Sequence, residues 1–358
     1  MRKILYKLLL FINFLFLGTL ILSYLSVFVN PGKFWIAAFF GLSYPYILLV
    51  NIGFMFFWLF KTKKAFLLSF IGIAAGWMYL TRVIQVNSKE QNVNLLHGKS
   101  FKVLTYNVRD FNRFNWANDK DAREKILKFI KMAEADIICI QEFSLDQAAE
   151  LLMDFKDTTY YYFHSTSLKS QKNYGMAIFS KYPILRREYI DLGHTTNGSI
   201  FCDILLDTDT VRIFNNHLQS IHFIKQDYDF IDSIQSNYHS FNVAKFSNMV
   251  KRMKLAYVKR SAQVNVIAPY IQKSPYPVIV CGDFNDTPIS YTYQKMKGDL
   301  EDSFVKAGAG FSNTYAGKFP SFRIDYILQD SQVEAFNYKR YPVKFSDHYP
   351  VSCEFVLK

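Results

Sequence analysis

The first 86 residues of this 358-residue chain contain no aspartate or glutamate. Their eight basic residues are Arg2, Lys3, Lys7, Lys33, Lys61, Lys63, Lys64 and Arg82, out of 42 in the whole sequence. The other 272 residues therefore carry 34 basic against 30 acidic side chains, and most of the formal +12 belongs to the N-terminal part. A nucleic-acid footprint would place its basic excess on the folded second part, and that part is nearly neutral. Cysteine is also scarce. The four present, Cys139, Cys202, Cys281 and Cys353, show no Cys-x-x-Cys spacing and sit in apolar, strand-like runs. They read as small buried hydrophobes, with a bridge between neighbouring strands left open. The sequence has no internal repeat.

What replaces acid at the N-terminus is a series of long apolar runs. Ile4–Val29 is interrupted only by Lys7, Phe34–Phe60 carries no charge, and Ala65–Leu80 is shorter, with Val83–Val86 able to extend it past Arg82. About 20 apolar residues cross a bilayer core, so the first two qualify as spans and the third reads as a span or an interfacial helix. The first run is too long for a signal peptide and lacks a small-residue cleavage site. Residues 1–86 are thus expected to form a multi-pass anchor with about three transmembrane helices. Lys-rich ends at Arg2–Lys7 and Lys61–Lys64 mark the cytoplasmic side. Three crossings of the cytoplasmic (inner) membrane then place everything after Val86 in the extracytoplasmic or periplasmic space. Loss of the third span would reverse that placement.

A polar linker is expected over 87–100, followed by one large α/β unit over 101–358. Strand-like runs at Phe101–Tyr106, Asp136–Ile140, Tyr174–Ser180, Ile200–Leu206, Val211–Asn216, Pro277–Cys281, Ile324–Leu328 and Val351–Val356 mix with helical periodicity at Ala122–Ala133 and Lys251–Gln272, the latter broken near Pro269. This predicts two packed sheets with helices outside. His222–Asn248 lacks clean periodicity and reads as a long surface loop, with a substrate lid or a membrane-touching flap as alternatives.

The polar chemistry gathers where these strands end. Asn107 closes the first strand, Gln141-Glu142 the second, and Asn215-Asn216-His217 another. Gly282-Asp283-Phe284-Asn285-Asp286 follows a buried apolar strand, where Gly allows close backbone approach and Asp and Asn suit a tight turn. Ser346-Asp347-His348 sets a carboxylate beside an imidazole. Asp325 interrupts an apolar strand and needs a partner if buried, for which a histidine ring is suited. Singly, each cluster is equally well explained by strand ends, Asx turns or satisfied core histidines. Oxygen donors plus histidines suit a hard divalent cation and a phosphate ester.

In this order the motifs resemble the endonuclease/exonuclease/phosphatase superfamily over about Phe101–Leu357. The resemblance implies a four-layered α/β sandwich, two packed mixed β-sheets flanked by helices, here preceded by a transmembrane helical segment. It implies Glu142 as the principal Mg²⁺ ligand, helped by Asn107 and Asp347, with Mn²⁺ as an alternative ion. It also implies Asp283 as the residue that positions or deprotonates water, with Asn285 beside it touching water, phosphate or metal. His348, paired with Asp325, matches the phosphate-contacting histidine. His217 matches a second histidine that contacts phosphate and protonates the leaving oxygen, and Tyr174 is a further candidate phosphate contact. One departure stands out: Arg109 occupies the place where AP endonucleases carry an Asp, and Asp110 follows, which weakens an abasic-site repair reading.

These readings combine into a membrane-anchored, Mg²⁺-dependent phosphoester hydrolase using in-line attack of water. Tethering at a bilayer and the near-neutral second part favour a lipid headgroup substrate. The alternatives are an extracytoplasmic DNA or RNA nuclease, a phosphomonoesterase on a sugar or inositol phosphate, and a non-catalytic scaffold, against which the full ligand set argues. No protein partner is implied.

Overall fold

The computed structural model describes residues 2–86, 100–112, 119–144, 160–166, 174–193, 195, 197–236, 242–317 and 321–358. Most of the expected linker, residues 87–99, lies outside them. The apolar segment forms α1 (Arg2–Ser26), α2 (Pro31–Phe34), α3 (Ile36–Leu42), α4 (Tyr44–Leu59), α5 (Lys63–Ala75) and α6 (Trp77–Leu80). Of these, α1 alone is long and apolar enough to cross a membrane unaided. The second expected span is instead two helices bent by 61°, at a break where Pro45 in the first turn of α4 supplies no backbone donor. The third run is interrupted at Gly76, and the 13 residues of α5 rise only about 20 Å. Val83–Val86 does not extend it, because Arg82 is buried against the second part of the chain.

Polar ties hold this helical unit together. Asn13 joins α1 to both neighbours, donating from Nδ2 to Ser69 Oγ on α5 at 3.0 Å and accepting from Trp58 Nε1 on α4 at 2.9 Å. Asn51 donates to the Phe16 carbonyl at 3.1 Å, and Tyr24 to the Gly72 carbonyl at 3.1 Å. In an apolar setting such bonds fix which helix faces meet.

After this unit, β1 (Ile84–Gln85) pairs with the later β11 (Gly310–Phe311) as a small ribbon. The remaining strands build two six-stranded sheets. One contains β2 (Ser100–Asn107), β3 (Ile137–Ser144), β4 (Tyr161–Thr166), β5 (Tyr174–Ser180), β13 (Val333–Arg340) and β14 (Val351–Leu357), in the order β13-β14-β2-β3-β5-β4. The other contains β6 (Ile184–Ile190), β7 (Gly198–Leu206), β8 (Asp209–His217), β9 (Val278–Asp283), β10 (Glu301–Asp302) and β12 (Asp325–Gln329), in the order β10-β12-β9-β8-β7-β6. The alternating apolar positions that face between the sheets, such as Val103, Ile137, Ile178, Ile213, Ile279 and Phe355, form the central core. All four cysteines are buried free thiols within it.

Helices cover the outer faces. α7 (Ala122–Met132) packs Ile126 and Ile130 on the first sheet. On the second sheet, α9 (Val243–Gln272) lays down Val264, Ile267 and Ile271, and α10 (Tyr291–Lys297) lays down Tyr293 and Met296. The short α11 (Ser303–Ala307) follows β10. The architecture is therefore the four-layered α/β sandwich.

Each sheet has one parallel pair at its centre, β2/β3 and β8/β9. A parallel pair needs a crossover of a dozen or more residues, usually helical. That requirement corrects the reading of His222–Asn248 as a loop. This stretch contains α8 (Lys225–Ser236) and the first turns of α9, both inside the β8-to-β9 crossover; residues 237–241 are outside those described. α9 begins well before Lys251, with the Asn242 side chain capping Lys245 N at 3.0 Å, and runs on through Pro269.

A buried amide seam joins the sheets beneath their carboxyl ends. Gln141 on β3 donates to Asn215 Oδ1 on β8 at 2.6 Å and to Thr105 Oγ1 on β2 at 3.0 Å. Asn215 returns two bonds of 2.9 Å, to the carbonyls of Ile140 and Ala177. Replacing Asn215 with Leu would orphan these partners in a dry core. We expect a loss of roughly 2–3 kcal/mol, lowering the melting temperature by about 5–10 °C in a thermal unfolding scan. An unchanged melt would show that the seam holds nothing together.

Candidate active site

The parallel pairs decide where the polar side chains meet. Their strands run the same way, so Asn107 and Gln141 are partners at the end of β2/β3, as His217 and Asp283 are at the end of β8/β9. The antiparallel β12 begins beside them, with Asp325 opposite Asp283. Gly282 makes this approach possible. Its φ is +127°, and a Cβ there would fall 2.0 Å from the Asn216 carbonyl oxygen. Glu142 sits where the β3/β5 register shifts between Gln141 and Phe143, with φ +51°. Such a bulge turns the side chain out of the alternating pattern. Arg109–Asn112, just after β2, also takes four consecutive positive φ values of 45° to 60°.

Asn107 lies at the centre. Its Nδ2 donates to Glu142 Oε1 and to Asp283 Oδ2, both at 3.1 Å, while its Oδ1 accepts from Arg109 N at 3.0 Å. Asp283 Oδ1 accepts from Asn285 N at 2.8 Å, and Oδ2 from Asn285 Nδ2 at 3.0 Å. Asn285 also donates to the Leu218 carbonyl at 2.9 Å, which ties the two motif loops of the second sheet. His348 places Nδ1 2.9 Å from Asp325 Oδ2 and Nε2 3.7 Å from Asp283 Oδ2. His217 Nε2 points at Glu142 Oε1 from 3.5 Å and at Asp283 Oδ2 from 3.9 Å, and has no hydrogen-bond partner among the described residues.

Seven of the nine candidates thus converge: Asn107, Glu142, His217, Asp283, Asn285, Asp325 and His348. Asp347 sits at the edge, its Oδ2 2.5 Å from Arg109 Nη1 and its Oδ1 accepting from Ser346 Oγ at 3.3 Å. The departure noted in the sequence therefore has a structural role: Arg109 neutralises Asp347. Tyr174 begins β5, but its side chain is outside the described residues.

Burial sets the protonation states. It pushes the Asp283 carboxyl up to about 8; His348 opposes the rise and Asp325 adds to it. Asp347 is also raised by burial, against His348 and Arg109. Burial alone would discharge His348, but the carboxylates of Asp325 and Asp283 outweigh it and hold the ring's proton well above the ordinary range. His217 goes the other way: burial keeps it below its ordinary value despite Glu142, so it is neutral. Two histidines in one site are thus held in different charge states, the pattern by which acid and base roles separate.

Sequence reasoning missed the supports. Arg260 on α9 is buried and spans both motif loops, donating to the Gln219 carbonyl at 2.7 Å and to Asp286 Oδ2 at 3.1 Å. Thr314 Oγ1 accepts from the backbone N–H groups of Ile324 and Asp325, and Ser346 Oγ donates to the Asn107 carbonyl. A basic residue on the buried face of a helix was the available signal for Arg260. The single hydroxyls carried none.

A hard divalent cation fits this donor set. Glu142, Asp283 and Asp325 bring three carboxylates together, and the ligand atoms of Asp283, Asp325 and His348 lie within 4.8 Å of one another. Asp283, raised to about 8 even beside protonated His348, stays ionised at neutral pH only with further positive charge close by, and Mg²⁺ prefers such oxygens. Asn107 presents its N–H₂ to the carboxylates in this rotamer, bracing them; an amide ligand would present its oxygen.

A cluster of carboxylates and imidazoles, buried except for Glu142, at the carboxyl ends of two packed sheets defines a phosphoesterase of the α/β-sandwich class. The chain belongs to the endonuclease/exonuclease/phosphatase family, whose sequence profile matches residues 104–348. Members of that family are divalent-metal-dependent hydrolases acting on phosphoesters. A second profile, a domain of unknown function, matches residues 6–83. No curated protein matches the chain. Among solved structures, a family protein from Bacteroides thetaiotaomicron has a TM-score of 0.53 at 19% identity, covering 74% of this chain and 100% of that one. A mannosyl-6-phosphatase from the same organism has a TM-score of 0.51 at 19% identity, covering 72% and 100%. D. rerio TDP2 complexed with a single-strand DNA product has 0.52 at 15%, covering 72% and 99%. At these identities the likeness is one of fold.

The raised Asp283 carboxyl makes a signed prediction for metal-free protein. Folded and unfolded chains both hold its proton below about pH 4, so the group costs nothing there. Stability is lost as pH rises from about 4 to 8, where only the unfolded chain gives the proton up freely, and stays low above. Asp283→Asn should therefore raise the EDTA-treated melting temperature more at pH 8.5 than at pH 4.5, while turnover falls by about 10²-fold or more. Equal melting shifts at both pH values would show that the carboxyl carries no such burden.

Proposed function

We propose that the chain is a membrane-anchored hydrolase that cleaves a phosphoester of a lipid headgroup by in-line attack of water. The observation that carries the lipid assignment is the position of the site relative to the helical unit. Thr287 and Pro288 alone separate Asp286, at the end of the Asp283 motif, from Ile289. Ile289 is buried among Leu20, Tyr24, Val27, Tyr44, Leu48 and Tyr79 of the helical unit. Gly41 of α3 lies so close that a Cβ there would fall 2.0 Å from the Ile289 carbonyl oxygen. Arg82 donates to the Pro288 carbonyl at 3.3 Å and to Gln294 Oε1 at 3.0 Å, and Arg323 donates to the Arg82 carbonyl at 2.9 Å. The end of the sandwich that bears the site is therefore the end that meets the anchor.

We propose as well that the helical unit is multi-pass. Tyr6 of α1 meets Trp58 of α4 with ring centroids 5.4 Å apart, so the basic start of α1 lies beside the end of α4 and the Lys61–Lys64 turn. The opposite end of the bundle carries the second part of the chain. With the lysines cytoplasmic, the catalytic unit is extracytoplasmic.

In the reaction, Asp283 takes a proton from the attacking water, with Asn285 beside it positioning water or phosphate. Protonated His348, fixed by Asp325, offers Nε2–H to a phosphoryl oxygen. His217, held neutral by burial, offers a ring N–H to a second phosphoryl oxygen, and the leaving oxygen takes its proton from solvent water. Glu142 would hold a Mg²⁺ or Mn²⁺ ion, joined by Asn107 once its amide turns its oxygen inward and by Asp347 from beside Arg109; when bound the ion would neutralise charge on the phosphoryl and leaving oxygens.

Full-length protein in vesicles should release headgroups from phospholipid or sphingolipid, and EDTA or Glu142→Gln should abolish that release. The same assay would include single-stranded DNA, RNA and sugar phosphates. Turnover of nucleic acid alone would replace the lipid reading with a nuclease, and release of inorganic phosphate from sugar phosphates would replace it with a phosphomonoesterase.

A further inference from the structure

The 30 residues of α9 contain six basic side chains and no acidic one, in a domain otherwise close to neutral. Two of the six are paired inward: Arg260 with Asp286, and Arg252 with Asp227 on α8 at 3.1 Å. Lys245, Lys251 and Lys259 are exposed, and Lys254 lies over the Trp35 ring at 5.1 Å from its centroid. Trp35 links α2 to α3, just beyond the end of the span α1. Tyr257, one turn further along α9, meets Phe39 of α3 edge-on at 5.5 Å. α9 is therefore seated on the helical unit where α1 leaves the apolar layer.

From that seat an apolar stripe continues toward the helix start. Tyr257, Val250, Phe246 and Val243 follow at spacings of seven, four and three, which keeps them on one face. Val243 is 72% exposed and Phe246 42% exposed, and residues 242–248 are all solvent-exposed. A stripe of this kind, flanked by lysines and contiguous with a membrane span, has the makeup of an interfacial helix. Bases or a protein partner would not require that contiguity.

We propose that the amino-terminal half of α9 lies on the surface of an anionic bilayer, with Val243 at the headgroup–acyl boundary and Lys245, Lys251 and Lys254 on anionic headgroups. This rests on the membrane-anchored reading of α1 and deepens it. Three helices at the site end, α3, α6 and α9, then hold the mouth of the site at a fixed height over the lipid. The face acts as a docking surface and takes no part in the chemistry.

The test uses the full chain reconstituted in phosphatidylcholine vesicles, alone or with about 30% phosphatidylglycerol. The native thiols are all buried, so an environment-sensitive fluorophore can be placed on Val243→Cys, on Phe11→Cys in α1, and on Met132→Cys, which is 71% exposed on the far side of the sandwich. Spin-labelled lipids should quench the label at 11 in both vesicles, the label at 243 chiefly in anionic ones, and the label at 132 in neither. Lys245→Glu with Lys251→Glu should weaken the seating at 243 by roughly fivefold or more per lysine, with hydrolysis of a soluble phosphodiester unchanged. Quenching at 11 but not at 243 would overturn the docking surface and leave the anchor standing. No quenching at 11 would overturn both. Shielding of 243 by single-stranded DNA, or only by raised protein concentration, would assign the face to nucleic acid or a second copy and overturn the proposal.

Discussion

Two buried carboxylates, a partly exposed third and two buried imidazoles, linked by contacts of 2.9 to 3.9 Å, are the constraint around which the rest of this molecule is organised. Buried charge is tolerated only when it is paired and hydrogen-bonded. Here Asn107 braces Glu142 and Asp283, Asn285 satisfies both oxygens of Asp283, and Asp325 fixes His348. Each brace comes from a different strand end. The cluster therefore exists only while both parallel pairs are in register, and the amide seam of Gln141 and Asn215 couples those pairs across the core.

The same constraint separates the two histidines. Both are buried, which alone would leave both neutral. His348 faces two carboxylates and keeps its proton; His217 faces Glu142 from 3.5 Å without a hydrogen bond and does not. A side chain's surroundings thus assign its role where its identity does not. Arg109 shows the reverse case, because its charge is permanent and simply balances Asp347.

Coupling between the helical unit and the candidate site is short in sequence and tight in space. The Asp283 motif runs directly into the loop that plugs the helical unit at Ile289, and Arg82 closes that contact from the other side. Arg82 is itself held by Arg323, whose guanidinium pairs with Asp302 at 2.7 Å. A flexible tether would leave the site free to tumble, but a buried guanidinium network fixes its orientation.

Much of this was legible in the sequence. Apolar runs of strand length ending in Asn107, Glu142, His217 and Asp283 announced the strands and their polar ends, because burial dictates composition locally. The long run before Ser26 announced a long apolar helix for the same reason. β4, β6 and β13 escaped, since edge strands such as Ile184–Ile190 carry exposed charge and lose the alternating pattern. The helices within 222–248 escaped because their apolar positions serve a crossover whose length follows from the parallel β8/β9 pairing. What the sequence determined by itself was the inventory: an acid-free apolar beginning, strand runs and their terminal polar residues, each set by local hydropathy and backbone preference. Only the tertiary structure decided which ends meet, which histidine is charged and that the site lies at the end of the sandwich that meets the helical unit, because those depend on desolvation and on contacts between residues far apart in the chain.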